Sequence, residues 1–160
     1  MQSGTQIAPL DEFAEVERAA FSPDGQWIAA GLGGAHTALR VWPTEGRGNA
    51  VTLDEGTVTY GPQPPAFSPD SRRLASFKRG QELMIWSTAS WNLERSWMLA
   101  GTGRALAFSP DGSRLAVATD GEAAIWDPNS GKKVVTLPIV GSTEFKEIAW
   151  SPDGRRVVSS

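Results

Sequence analysis

One hexapeptide occurs four times in this 160-residue chain: Ala20-Phe21-Ser22-Pro23-Asp24-Gly25, Ala66-Phe67-Ser68-Pro69-Asp70-Ser71, Ala107-Phe108-Ser109-Pro110-Asp111-Gly112 and Ala149-Trp150-Ser151-Pro152-Asp153-Gly154. From Phe21 to Phe67, Phe108 and Trp150 the steps are 46, 41 and 42 residues, a period that marks a repeat architecture. Each copy carries turn chemistry. Pro presets the first corner of a type I turn, Asp suits the second, and Gly relieves the left-handed position that follows. Such a turn closes a short hairpin. Seven residues after each aromatic stands a branched apolar residue, Ile28, Leu74, Leu115 or Val157, so every copy keeps one register. Ser71 replaces the glycine in the second copy, which costs about 1 kcal/mol if that residue is left-handed.

Between hexapeptides the chain reads as short strands joined by turns. In the first unit these are Val16 to Phe21, Trp27 to Gly31, an alternating Leu39-Arg40-Val41-Trp42, and Val51-Thr52-Leu53, with Leu32 to Thr37 as a loop. The same order recurs, with Trp closing the third strand at Trp42, Trp86 and Trp126. Leu10, Leu53, Leu99 and Leu137 each end the strand before a new unit. The chain is thus an orphan outer strand at about 6–10, units at about 14–53, 60–99 and 104–137, and an incomplete one at 146–160. No helical period occurs, and the fold class is all-β.

Four short antiparallel strands per unit is the blade of a β-propeller, in which sheets stack radially. The FSPDG turn, the branched residue seven positions on and the third-strand Trp resemble the WD-repeat family, and the resemblance covers essentially the whole chain. It implies a propeller segment of about three and a half four-stranded blades. The polar set that the family often builds from His, Ser or Thr, Asp and the third-strand Trp is incomplete here: only Asp120 matches its turn Asp, only Ser76 and Ser159 its second-strand Ser, and only Trp126-Asp127 its Trp-Asp dipeptide. Blade cohesion is therefore expected to come from apolar packing more than from a polar network. WD-type rings resemble seven- or eight-bladed ones, and this arc does not close one. Its ends call for further blades of the same protein or for a second copy.

A net charge of -3 with scattered basic residues offers no stripe for phosphates, so nucleic acid is not an expected partner. With no Cys there is neither a thiolate metal site nor a Cys nucleophile. No apolar run is long enough to span a bilayer, and a start lacking basic and apolar leader regions makes the cytoplasm the expected location. Asp24, Asp70, Asp111 and Asp153 sit in turns of successive blades, which reads as separated, solvated carboxylates rather than an acid/base or metal set. His36 has no second His to work with and reads as an exposed loop residue. Gly31 to Gly34 is only a loose match to a phosphate cradle. The period of the rhythmic Trp residues makes them blade core rather than a ligand cage; Trp91 and Trp97, outside that rhythm, are expected to pack on adjacent blades. No catalytic, cofactor-binding or metal site is expected, and the chain is read as a non-enzyme.

What remains is surface. In the family, the loops joining second to third strands and fourth to next first strands emerge at one end of the disc, where partners often dock. That places His36, Lys78, Arg79, Asp120 and Glu122, and Glu12, Tyr60, Arg104 and Lys146, on one docking end, and Lys78-Arg79 with Tyr60 and Arg104 is the basic and aromatic mixture that interfaces favour. The resulting expectation is a protein-interaction platform within a larger propeller protein. The alternative is a propeller attached to a hydrolase or kinase module outside this chain.

Overall fold

The computed structural model describes residues 14–34, 38–45, 49–55, 65–138 and 145–160. The sequence-predicted strand at 6–10, His36 and Tyr60 lie outside the described residues. Among the described residues there are strands and turns and no helix. Blade 1 holds β1 (Ala14–Phe21), β2 (Trp27–Gly34), β3 (Ala38–Pro43) and β4 (Val51–Glu55). Blade 2 holds β5 (Ala66–Phe67), β6 (Arg73–Lys78), β7 (Glu82–Ser87) and β8 (Leu93–Met98). Blade 3 holds β9 (Gly103–Phe108), β10 (Leu115–Thr119), β11 (Glu122–Asp127) and β12 (Lys132–Leu137). A two-stranded sheet follows, β13 (Ile148–Trp150) and β14 (Val157–Ser159). Every sheet is an antiparallel meander in chain order, so the protein is an arc of three and a half propeller blades.

The seven-residue offset is a strand pairing. Phe21 faces Ile28, Phe67 faces Leu74, Phe108 faces Leu115 and Trp150 faces Val157. The intervening turn is the same each time. In blade 1 the Gly25 N–H donates to the Ser22 carbonyl at 2.8 Å, the Ser22 hydroxyl donates to Asp24 Oδ1 at 2.5 Å and accepts from the Trp27 N–H at 2.9 Å, and Asp24 Oδ1 also accepts from the Gln26 N–H at 3.0 Å. Ser-Pro-Asp thus supplies the hydrogen bonds that the turn backbone would otherwise leave to water. The fourth turn residue is left-handed in all copies, with φ of 71° at Gly25, 59° at Ser71, 71° at Gly112 and 67° at Gly154. Ser71 recovers part of its cost across a blade boundary, because its Oγ accepts the Asp24 N–H at 3.0 Å.

Two strand readings change. β2 continues through Leu32 to Gly34, pairing with β1, where the sequence suggested a loop. Leu32 is 3% exposed, and its burial draws the flanking glycines into the ladder, so Gly31 to Gly34 is strand and not a phosphate cradle. β3 does not alternate either: Ala38, Leu39, Val41 and Trp42 are all buried, Leu39 and Val41 against blade 2 and Ala38 and Trp42 in a cluster with Ala30 and Leu32.

Cohesion comes from apolar seams between blades. Ala29, Leu39 and Val41 of blade 1 pack on Phe67, Leu74, Met84 and Trp86 of blade 2. Phe77, Leu83 and Ile85 of blade 2 meet Leu106, Phe108 and Leu115 of blade 3. Ala116 and Ile125 of blade 3 meet Phe145 and Ile148. Each fully buried Leu or Ile side chain stabilises by about 1.5–3 kcal/mol. Trp91 meets Trp27 of blade 1 edge-on at 4.8 Å between ring centroids, and Trp97 lies 5.9 Å from Trp126 of blade 3. One member of the family's polar set is in place: the Trp86 indole N–H donates to the buried Ser76 hydroxyl at 3.0 Å. On the concave side Arg18 of β1 comes within 4.0 Å of Glu147, just before β13, so the inner strands curve around a common axis.

Candidate functional site

The meander sends the second-to-third and fourth-to-next-first connections to one end of the arc, and three of them interlock at the seam of blades 2 and 3. The Leu99 N–H donates to the Gln81 carbonyl at 2.7 Å, the Gly103 N–H to Gly80 at 2.5 Å, and the Asp120 N–H to Thr102 at 2.9 Å. Glycine permits this approach. A Cβ on Gly103 would lie 2.4 Å from the Phe77 ring, and one on Gly80, whose φ is 70°, 2.8 Å from Thr102 Cγ2.

Charged side chains border these loops. Lys78 Nζ donates to Asp54 Oδ1 at 2.9 Å, tying blade 2 to blade 1. The Asp54 side chain is only 11% exposed, and its Oδ2 has no hydrogen-bond partner among the described residues. Arg104 is ion-paired with Asp120, and the guanidinium hydrogen bond holds the Asp120 carboxyl below the usual carboxylate range. Arg79 is exposed, with a left-handed φ of 50°. Lys146 is exposed at the same end of the half blade, where its backbone N–H donates to the Ser160 carbonyl at 2.6 Å.

Of the sequence-predicted surface residues, Lys78, Arg79, Arg104 and Asp120 therefore share one rim, and Lys146 belongs to the next blade. Asp54 was not singled out by sequence; it lies 24 positions from Lys78, and no local spacing signals a partner across a blade boundary.

The opposite end carries the Ser-Pro-Asp turns. They are less separated than their spacing suggested: Asp24 bonds to Ser71 of the next turn, and Asp70 and Asp111 line one cleft of about 440 Å³ between blades 2 and 3. Serine hydroxyls bonded to the turn carboxylates hold Asp24, Asp70 and Asp153 below the ordinary range and Asp111 at about 2. At neutral pH these groups are anionic acceptors with no proton to donate. Among the described residues no three His, Cys, Asp or Glu side chains gather as a metal site, and no helix is long and apolar enough to cross a membrane.

Comparison with known proteins agrees with this geometry. The family model for the WD domain, G-beta repeat, matches residues 6–43 and 104–127. The human WD repeat-containing protein 90 is 29% identical over 134 residues, which is 79% of this chain and 8% of that protein. This chain therefore spans under a tenth of that relative's length. A chain in the crystal structure of the mitotic checkpoint complex superposes with a TM-score of 0.72 at 22% identity, covering 91% of this chain and 46% of that one; at that identity the likeness concerns the fold. Turn register, blade topology and these matches agree: the chain has the fold of a β-propeller segment and is similar to WD-repeat proteins.

Proposed function

We propose that this chain is a non-catalytic platform for protein partners, docked at the loop end of blades 2 and 3. The carrying observation is the backbone interlock of Gly80 with Gly103 and of Thr102 with Asp120, which makes loops from two blades one stiff surface. Rigid loops lower the ordering cost of binding, while their side chains set specificity. The chain is also proposed to be one part of a larger propeller, completed by further blades or a second copy. In support, Phe21 is 66% exposed at one end of the arc, and Val158 is 67% exposed at the other.

The test is affinity capture with two classes of bulky charged variant. Gln81→Arg and Ala100→Arg change the loop end; Ala89→Arg changes the opposite end. The platform reading expects the first pair to lose bound protein and Ala89→Arg to keep it. The reverse pattern, or equal loss, overturns it.

A further inference from the structure

Each seam inside the arc joins an aromatic knob to a seat on the preceding blade. The knob is the aromatic of the hexapeptide, and the seat is the residue eight positions after the preceding blade's own aromatic. Phe67 packs in one cluster with Ala29, Phe108 in one with Ala75, and Trp150 against the cluster that holds Ala116. Trp150 adds a hydrogen bond, its indole N–H donating to the Ala107 carbonyl of blade 3 at 3.0 Å. The turns stack in the same direction. A Cβ on Gly112 would lie 3.7 Å from Pro69 Cδ of the preceding blade, and one on Gly154 would lie 3.7 Å from Pro110 Cδ.

The two ends of the arc carry the unmatched halves of this contact. Phe21 is the knob of blade 1 and is 66% exposed; Val158 is the seat of the half blade and is 67% exposed. Gly25 has nothing within 4 Å of a Cβ built on it, and Pro152 is exposed. On the Phe21 face of blade 1 the β3 residues Ala38 and Trp42 are already buried, so what stays open is the inner strand and its turn, the width of a two-stranded half blade. A second copy of the chain brings both missing halves at once, its Val158 to Phe21 and its Phe21 to Val158. A head-to-tail contact makes a ring when its rotation closes and a filament when it does not. Two arcs of three and a half blades give about seven, within the four to eight that propellers carry, so the pair closes.

We propose that two copies of this chain pair head to tail, the blade 1 end of each seated on the half blade of the other; this rests on the reading of the chain as part of a larger propeller and names what covers its ends. Only the two strands of each half blade take part, so the contact is small and reversible, and the dilute chain is the open arc.

The test is sedimentation equilibrium of the full 160-residue chain over a concentration series up to about 1 mM. The parent is expected to approach twice its 17.1 kDa and no more. Phe21→Arg and Val158→Asp change positions that are open in the single arc; each should weaken the dimer at least about thirtyfold and melt like the parent when dilute. An equal mixture of the two variants should recover the dimer, because each mixed ring holds one native contact and one Arg–Asp contact. A parent that stays monomeric or grows beyond a dimer overturns the proposal, and so does a mixture that associates no better than its components. The monomeric result leaves further blades of the same protein as the cover. A parent dimer that both variants leave intact overturns the larger-propeller reading as well, since that dimer would be stable with its ends uncovered.

Discussion

Phe21 and Phe108 occupy the same register position in blades 1 and 3, each at the end of an inner strand and facing a branched apolar residue, yet Phe21 is 66% exposed and Phe108 9%. The far end of the arc repeats the contrast. Val158 pairs with Ala149 as Ala75 does with Ala66 and Ala116 with Ala107, but Val158 is 67% exposed where both alanines are at 0%. Burial at these positions is conferred by the adjacent blade and not by the residue's own sheet. Stability in such an array is close to a sum of blade terms and nearest-neighbour seams, so interior and end positions should answer differently to the same substitution. The contrast is local to the inner strand of blade 1, because Ala30, Leu32, Ala38 and Trp42, on β2 and β3, form a buried cluster of their own.

The largest expected difference follows directly. Phe108→Ala should cost about 3–5 kcal/mol in urea unfolding, since it empties the seam with Leu83 and Leu106, whereas Phe21→Ala should stay within about 0.5 kcal/mol. Equal losses would mean that the blade 1 end is covered in solution. An intermediate loss at Phe21 that grows with protein concentration would identify the cover as a second copy.

Glycines give the next contrast. Gly103→Ala places a methyl 2.4 Å from the Phe77 ring and should cost about 1–3 kcal/mol by thermal melting, because both loops are locked by backbone bonds. Gly31→Ala, in β2 with nothing within 4 Å of the new Cβ, should be neutral within about 0.5 kcal/mol. A harmless Gly103→Ala would show that the blade 2 and 3 loops yield, and the case for a stiff docking end would fail with it.

What could be read from sequence divides along the same line. Features internal to one blade were legible: the seven-residue offset appears as Phe67 facing Leu74, and the third-strand Trp rhythm as Trp42 and Trp86, each 7% exposed. Features that arise between blades were not. The alternation expected for β3 fails because Leu39 and Val41 pack on blade 2 while Ala38 and Trp42 are buried with Ala30 and Leu32, an arrangement that strand period does not show. The extension of β2 depends on burying Leu32, which outweighs the loop propensity of Gly33 and Gly34. Lys78 with Asp54 joins two blades across 24 positions, and even within blade 3 the pair Arg104 and Asp120 spans 16, beyond any local spacing rule. The left-handed backbone of Ser71 was legible from the repeat; its bond to Asp24 in the previous blade was not.

That bond yields a smaller prediction. Ser71→Gly relieves about 1 kcal/mol of backbone strain and removes a hydrogen bond of about 1 kcal/mol, so its net effect should lie within about 0.5 kcal/mol of zero. Ser71→Ala keeps the strain and loses the bond, and should cost about 1 kcal/mol. Chemical denaturation of the two variants separates the terms; equal stabilities would show that the cross-blade bond contributes nothing.

The smallest effect is in the pH dependence of the turns, and its sign can be worked out. Asp111 accepts hydrogen bonds from the Ser109 hydroxyl, from the Ser113 N–H and from the Ser113 hydroxyl, at 2.6, 3.0 and 2.8 Å, and its pKa is lowered from 3.8 to about 2. A carboxyl whose folded pKa is depressed stabilises the fold above its unfolded pKa, and that contribution fades as pH falls from near 3.8 through about 2. Asp24, Asp70 and Asp153 are shifted in the same direction by Ser22, Ser68 and Ser151. Carboxyl NMR titration of Ser109→Ala should therefore return Asp111 towards 3.8 while Asp153, bonded by its own serine, keeps its depressed value. Because Ser109 is 4% exposed and also accepts the Arg114 N–H, the substitution tests whether each turn holds its carboxylate independently of the blades beside it. A shift at Asp153 as well would show that the turns titrate as a coupled row.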